Sequence, residues 1–247
     1  MSLELFARAL SRFVPLTNEQ LARVEALPFH IRNVGRHSDV VSRGEMQAHL
    51  LVNLSGWAAG YALQKNGRRR ITSLLFPEDF CGLHALCHAE MDYSIVALTD
   101  CKFALVELAA FENLARLDAD INRALLRGSL VAEATLRVWL LNYQDAYRIL
   151  AHLICEIDAR VGHEGSEGGR IVPLPITQEA LGDALGLTSV HVNRTMRALT
   201  ADGLVRQERG SLLIPDVQAL RRAATFNPSY LNPPVGVLAA LQPIALA

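Results

Sequence analysis

Ile176-Thr-Gln-Glu-Ala-Leu-Gly-Asp-Ala-Leu-Gly-Leu-Thr-Ser-Val-His-Val-Asn-Arg-Thr-Met-Arg-Ala-Leu199 is the stretch whose reading decides the fold. Thr177 stands before an apolar-periodic run, where its hydroxyl can accept a hydrogen bond from a free helical N–H. Ala180, Leu181, Ala184 and Leu185 form one apolar face. Gly186 supplies the left-handed conformation that ends this helix. Leu187 anchors the turn, and Thr188 or Ser189 caps a second helix whose Val192, Met196 and Leu199 face inward. The spacing predicts two short helices joined by a tight turn.

The outward face of the second helix carries Ser189, Val190, Asn193, Arg194 and Arg197, with His191 at its flank. No carboxylate lies between Asp183 and Asp202, so this face is locally basic although the whole chain has a formal net charge of −1. Arginine can bond guanine O6 and N7 in bidentate fashion, asparagine can pair with adenine, and an apolar side chain can touch a thymine methyl. The pattern predicts a helix that enters a major groove of double-stranded DNA, with Arg194 as first choice for base reading. Ser189, His191, Asn193 and Arg197 could equally hold phosphates and set the register, and Thr177, Gln178 and Thr188 join them as candidate DNA contacts. Downstream, Leu204-Val205-Arg206 and Ser211-Leu-Leu-Ile214 flank a turn at Glu208-Arg209-Gly210. That reads as a β-hairpin wing, from which Arg206 and Arg209 reach the DNA backbone.

Upstream, a helix is expected from Asp145 to Val161, followed by a polar loop from His163 to Arg170. Before it, another helix is expected from about Leu117 to Tyr143. Ile121, Ala124, Gly128, Val131, Thr135, Val138 and Asn142 repeat along it at intervals of 3, 4, 3, 4, 3 and 4. This is a heptad seam, read here as a homodimer interface. A second stripe of Leu125, Ala132, Leu136, Trp139 and Leu140 is left for the chain's own body.

From about 27 to 110 the chain reads as β, punctuated by Gly35, Gly44, Gly56, Gly60, Gly67 and Gly82. Asn66-Gly67 predicts a type I′ hairpin, since that turn needs positive φ at both central residues. Many short strands with regular turns imply a sandwich or barrel. Ahead of them, Leu3, Phe6, Ala7 and Leu10 share a helix face, and Thr17 starts a second short helix. The expected division is 1–116 barrel with N-terminal helices, 117–144 dimerising helix, 145–222 winged helix-turn-helix, and 223–247 an uncharged, Pro-rich tail.

Composition agrees with an α+β protein that buries a sizeable core: 247 residues, 51% hydrophobic. Four cysteines do not make a disulfide scaffold, and they suit reduced thiols in the cytoplasm. The chain begins with no basic, apolar secretory pattern. Pro228, Pro233, Pro234 and Pro243 break the apolar tail into pieces too short to span a membrane. No nucleophile–base pair or phosphate loop is visible, which argues against an enzyme.

Gln178 to Val205 resembles the cyclic-AMP receptor protein/FNR family of transcription regulators, with Thr188-Ser-Val-His-Val-Asn-Arg-Thr195 similar to its recognition helix. Pro77-Glu-Asp-Phe80 is similar to the Pro-Gly-Asp-Phe turn of the cyclic-nucleotide-binding barrel, and Phe226-Asn-Pro-Ser-Tyr-Leu231 to the tail of one branch. The resemblance implies a double-stranded β-helix (jelly-roll) sensor, a dimer along the long helix, a hinge near Asn142–Asp145, and RNA polymerase as a partner. It places the effector pocket at Phe80, Gly82, Leu83, His84, Tyr93 and Ser94.

Two departures matter. Nucleotide-binding members carry Phe-Gly-Glu and a later Arg-Ser or Arg-Ala; here stand Phe80-Cys-Gly-Leu-His84 and Tyr93-Ser94. Without a guanidinium a buried cyclic phosphate lacks its partner, so cyclic AMP is not expected as effector. No cysteine precedes Cys81, so an iron–sulfur cluster is not expected either. In addition, Val190 stands where the family often has a base-reading Glu, while Arg194 matches its base-reading Arg.

Cys81, His84, Cys87 and His88 are candidate ligands for a metal, or for redox sensing. The plainer reading makes Cys81 and Cys87 small buried hydrophobes on a short helix and His84 a structural partner. Arg68-Arg-Arg70 is read as a solvated face. A small-molecule-binding module that does not read DNA is the alternative of a different class.

Overall fold

The computed structural model describes residues 3–142, 145–165 and 168–231. They form two compact units whose boundary falls between Glu133 and Ala134.

The first unit opens with α1 (Glu4–Phe13) and α2 (Asn18–Glu25). Thr17 starts α2 with a reciprocal cap: its hydroxyl accepts from the Gln20 N–H at 3.3 Å, and Gln20 Oε1 accepts from the Thr17 N–H at 2.8 Å. Eight strands follow: β1 (Phe29–Val34), β2 (Asp39–Val41), β3 (His49–Ser55), β4 (Ala58–Leu63), β5 (Arg69–Leu75), β6 (Phe80–Cys81), β7 (Ser94–Ala97) and β8 (Cys101–Glu107). They pair antiparallel into two sheets, ordered β1-β8-β3-β6 and β2-β7-β4-β5. Apart from the β4–β5 hairpin, successive strands alternate between the sheets, which makes the double-stranded roll.

Side-chain alternation sends each strand's residues to two places. Leu51, Phe103 and Leu105 point between the sheets and meet Ala58, Ile95 and Met91. Their neighbours Leu50, Val52, Ala104 and Val106 point the other way, into a layer of helices. That layer contains α1 and two further helices, α3 (Leu108–Leu117) and α4 (Ala119–Leu141). β3 and β8, the central strands of the first sheet, are therefore apolar on both faces, unlike a half-solvated sheet.

Three sequence expectations change here. The Asn66-Gly67 hairpin exists, but its turn is not type I′. Only Gly67 has positive φ, at 79°, and Gly67 N–H donates to Gln64 O while Gln64 N–H donates to Arg68 O. This is a type I turn followed by a left-handed glycine, and the Asn66 side chain accepts from the Arg68 N–H instead. The expected long helix begins at Ala119, with α3 preceding it after a break at Asp118. Asp118 Oδ1 accepts from the N–H groups of Asp120 and Ile121 and caps the new start.

The third change concerns the seam. Ile121 and Ala124 have no accessible surface in the single chain, and Gly128 is buried. A Cβ on Gly128 would lie 2.7 Å from Phe80 Cζ and 3.1 Å from Phe13. The small residues thus admit the chain's own aromatic rings, not a partner helix. Thr135 is buried as well, and Val131, Val138 and Asn142 are half-buried. Instead Leu126 (60%), Leu130 (53%), Leu136 (45%), Leu140 (64%) and Leu141 (65%) are exposed, on the other side of α4.

The second unit is built around α5 (Ala146–Val161), capped by Asp145, whose side chain accepts from the Arg148 N–H. The expected loop from His163 to Arg170 contains strand residues: β9 (His163–Glu164) pairs with β10 (Arg170–Pro173). β10 also pairs with β12 (Ser211–Ile214), which pairs with β11 (Arg206–Glu208). The wing is thus two strands of a four-stranded sheet. Between β10 and β11 come α6 (Gln178–Leu185) and α7 (Ser189–Ala201); α8 (Val217–Ala224) and a 3-10 turn at Pro228–Leu231 close the described chain. The expected hinge residues Tyr143 and Gln144, and the tail beyond Leu231, lie outside the described residues.

Candidate nucleic-acid interface

The helix-turn-helix rests on two caps and two glycines. Thr177 accepts from the Ala180 N–H at 3.1 Å, and Thr188 from the His191 N–H at 3.3 Å. Gly186 ends α6 with φ of 72°. Gly182 is required for a different reason: a Cβ there would lie 2.6 Å from the Leu187 carbonyl oxygen, so only a bare backbone lets the turn fold back this closely.

α7 has a buried side of Val192, Thr195, Met196 and Leu199. Ser189, Val190, His191, Arg194 and Arg197 are exposed. Among the described residues Arg194, Arg197, Arg206 and Arg209 make no ion pair, in contrast to Arg170 and Arg221 of the same unit. Asn193 is different from its neighbours. It is half-buried, and its amide donates to Gln178 Oε1 at 3.2 Å, tying α7 to the first turn of α6. His191 leans on its own cap, with Nδ1 3.4 Å from Thr188 Oγ1.

Buried charge holds this reader in place. Asp158 on α5 is 1% exposed and takes Arg170 Nε from β10 at 2.8 Å, with Arg221 from α8 at 3.7 Å. Tyr147 on α5 donates to Asp202, the residue that caps the end of α7, at 2.6 Å. Glu156, also on α5, accepts from Trp139 Nε1 at 2.8 Å and from Tyr230 OH at 2.7 Å. Burial pushes the Glu156 carboxyl up, against the pull of Arg160 and its two donors. These contacts were invisible in the sequence, because each joins segments far apart along the chain.

His152 lies edge-on to Phe226 at 5.0 Å and stacked at 6.1 Å on Tyr230, the ring whose hydroxyl bonds Glu156. Burial pushes its imidazole down to about 4 from an ordinary 6.5. The fold therefore holds it neutral while an unfolded chain takes up a proton. Its stabilising contribution is complete above the unfolded value and is lost as pH falls from about 6.5 towards about 4, by roughly 3 kcal/mol in all. Urea unfolding at pH 7 and pH 4.5 checks this: His152→Phe is expected to remove much of the difference between the two.

The six residues assigned to an effector pocket do not line one space. Phe80 packs on Phe6 (ring centroids 5.8 Å) and Phe13 (6.2 Å), and Leu83 joins the same helix-side cluster. Alternation along β6 explains this, since Cys81 points inward and Phe80 outward. Tyr93 packs against the core between the sheets, 5.7 Å from the His84 ring, and sits on Gly60, where a Cβ would be 3.0 Å away. Gly82 turns the chain with φ of 77°, and Ser94 accepts from the Arg43 N–H at 2.9 Å.

The cysteine–histidine set is likewise spread out. Cys81 is buried, and burial pushes its thiol up to about 12. Cys87 and His88 are exposed at the end of a 3-10 turn, and His84 Nε2 is paired with Asp92 at 3.0 Å. Among the described residues no group of three or more His, Cys, Asp or Glu side chains is placed to hold a metal ion. No helix among them is long and apolar enough to cross a membrane. The exposed Cys87 contradicts the expectation of a buried hydrophobe at that position.

Known proteins converge on the same parts. Residues 150–223 match the Crp-like helix-turn-helix domain, and residues 31–118 the cyclic nucleotide-binding domain. The nitrogen fixation regulation protein FixK of Bradyrhizobium diazoefficiens is 30% identical over 176 residues, covering 69% of this chain and 73% of FixK. The transcriptional activator protein FnrL of Cereibacter sphaeroides is 28% identical over 196 residues, covering 77% and 78%. The structure of FixK2 from Bradyrhizobium japonicum superposes with a TM-score of 0.72 at 22% identity, over 80% of this chain and 98% of that one. A CooA mutant from Carboxydothermus hydrogenoformans gives 0.66 at 16% identity, over 79% and 88%. Roll, long helix and helix-turn-helix stand in the order of these relatives, and the chain belongs to the Crp/Fnr family of transcription regulators, whose DNA-binding helix-turn-helix it carries.

Proposed function

We propose that the protein acts as a homodimer reading a roughly palindromic operator, with two copies of α7 in successive major grooves about one helical turn apart. The observation that carries this reading is the exposed, acid-free side of α7, where Arg194 and Arg197 are unpaired among the described residues. The N-terminal turns of such a helix read base edges, while Thr177, Gln178, Thr188 and the wing residue Arg209 are placed for phosphates. The β-roll acts as the sensor. Cyclic AMP is not its signal, because the position that would hold the phosphate is occupied by Tyr93, packed down on Gly60. RNA polymerase is the partner through which operator binding acts.

Selection of bound sequences from a random duplex pool, at fixed salt, tests the reading. A palindromic enriched site that Arg194→Ala relaxes supports it; a wild-type protein that enriches nothing overturns it.

The dimer is proposed to form on the exposed leucine side of α4, since a monomer rarely leaves such a stripe uncovered. Leu130→Glu puts two unpaired carboxylates into that interface. It is expected to weaken dimerisation on the order of 10²-fold, read by sedimentation equilibrium. An unchanged dimer would place the interface elsewhere.

A further inference from the structure

Val190 is 76% exposed, more than any other large hydrophobic residue described. It sits in the first turn of α7, one turn before Arg194 and on the same side. The location is costly for folding in two ways. A β-branched residue is a mediocre helix former, and here its side chain gains no burial in return. Its polar neighbours are partly engaged elsewhere: His191 with Thr188, and Asn193 with Gln178. What α7 offers outward beside Arg194 is thus a stiff apolar cap with no donor or acceptor.

In a major groove, the only apolar group on a base edge is the C5-methyl of thymine. We infer that Val190 is a specificity-determining residue that selects a thymine in each half-site by contact with this methyl group. The inference rests on the proposed function, because it needs α7 to lie in the groove. It differs from Arg194's role in chemistry: no hydrogen bond is made, and discrimination comes from burying a methyl against an isopropyl group. A β-branched side chain is suited to this, having one dominant χ1 rotamer in a helix and so little to lose on binding.

Deoxyuridine is the probe, since it removes the methyl and leaves every hydrogen-bonding atom of the base in place. On the selected operator, each thymine in turn is replaced by deoxyuridine in both half-sites, and affinity is measured at fixed salt. At one position the wild type is expected to lose about fourfold per half-site, or about fifteenfold for the pair. With Val190→Ala that loss is expected to shrink to twofold or less, while the unfolding midpoint does not fall. The inference is overturned if no position responds to deoxyuridine, or if the response persists in Val190→Ala. The two levels separate cleanly. If the wild type prefers its operator and Arg194→Ala relaxes that preference, the proposed function stands whatever Val190 does. If the operator is not preferred over random duplex at all, the proposed function falls and this inference with it.

Discussion

Arg194→Ala is expected to weaken binding to the selected operator by on the order of 10²-fold or more, with little change for random duplex. A bidentate arginine–guanine pair discriminates by about 1–3 kcal/mol per base, and a dimer makes it twice, for about 2–6 kcal/mol in total. Arg194 has what such a pair needs: an exposed position on the outward side of α7 and no ion pair among the described residues to break first. Arg197 serves as the internal contrast. If it holds a phosphate, Arg197→Ala weakens all sequences alike and lowers the slope of log affinity against log salt by about 1 per subunit. Fluorescence anisotropy at several salt concentrations separates the two. Equal losses on operator and random duplex for Arg194→Ala would reassign that side chain to the backbone.

The second large effect is on stability. Asp158→Ala should lower the unfolding free energy of the second unit by about 3 kcal/mol, read as a fall in urea midpoint at constant slope. Removing this carboxylate strands the Arg221 guanidinium, whose side chain is only 14% exposed, and leaves Arg170, 25% exposed, with Glu164 alone at 3.1 Å. It also cuts the polar tie between α5, the wing sheet and α8. Arg170→Ala should cost clearly less, because Asp158 keeps Arg221 and Arg170 lies nearer to solvent. Equal costs for the two substitutions would mean that desolvation of the acid, not the stranded bases, dominates.

Legibility of this chain followed the range of the forces involved. The helix-turn-helix was readable because Thr177, Gly186 and Thr188 act on their own neighbours within three or four residues. The wing sheet was read as a lone hairpin, since β10 pairs with β12 through contacts such as Arg170↔Ile214 that no local pattern announces. α3 was missed because the apolar run of β8 leads into it with only Glu107 between, and no capping side chain marks its start. The heptad residues of α4 that the sequence offered to a partner are largely buried within the chain itself, for a related reason. Heptad spacing shows that a helix has an apolar stripe, and here there are two; Gly128 suits either a close partner helix or the rings of Phe13 and Phe80. Within the effector set Phe80 stands apart, because β6 alternation sends its ring to the helix side of the sheet. Glu78 was read as a departure from a usual glycine. Its φ of 79° shows that the backbone keeps the glycine geometry, with the carboxylate held by Arg8 at 2.9 Å.

The residues of α7 that hold the fold are not the residues it leaves outward. Val192, Thr195, Met196 and Leu199 anchor the helix, whereas Ser189, Val190, Arg194 and Arg197 touch almost nothing of their own chain. Substitutions at exposed positions of this kind shift stability by only about 0.5 kcal/mol. Under the proposed function, the outward residues can therefore be exchanged one at a time at little cost to the fold. A laboratory library randomised at those four sites should yield retargeted repressors or activators at high frequency, provided that Gly182 and Gly186 are left alone.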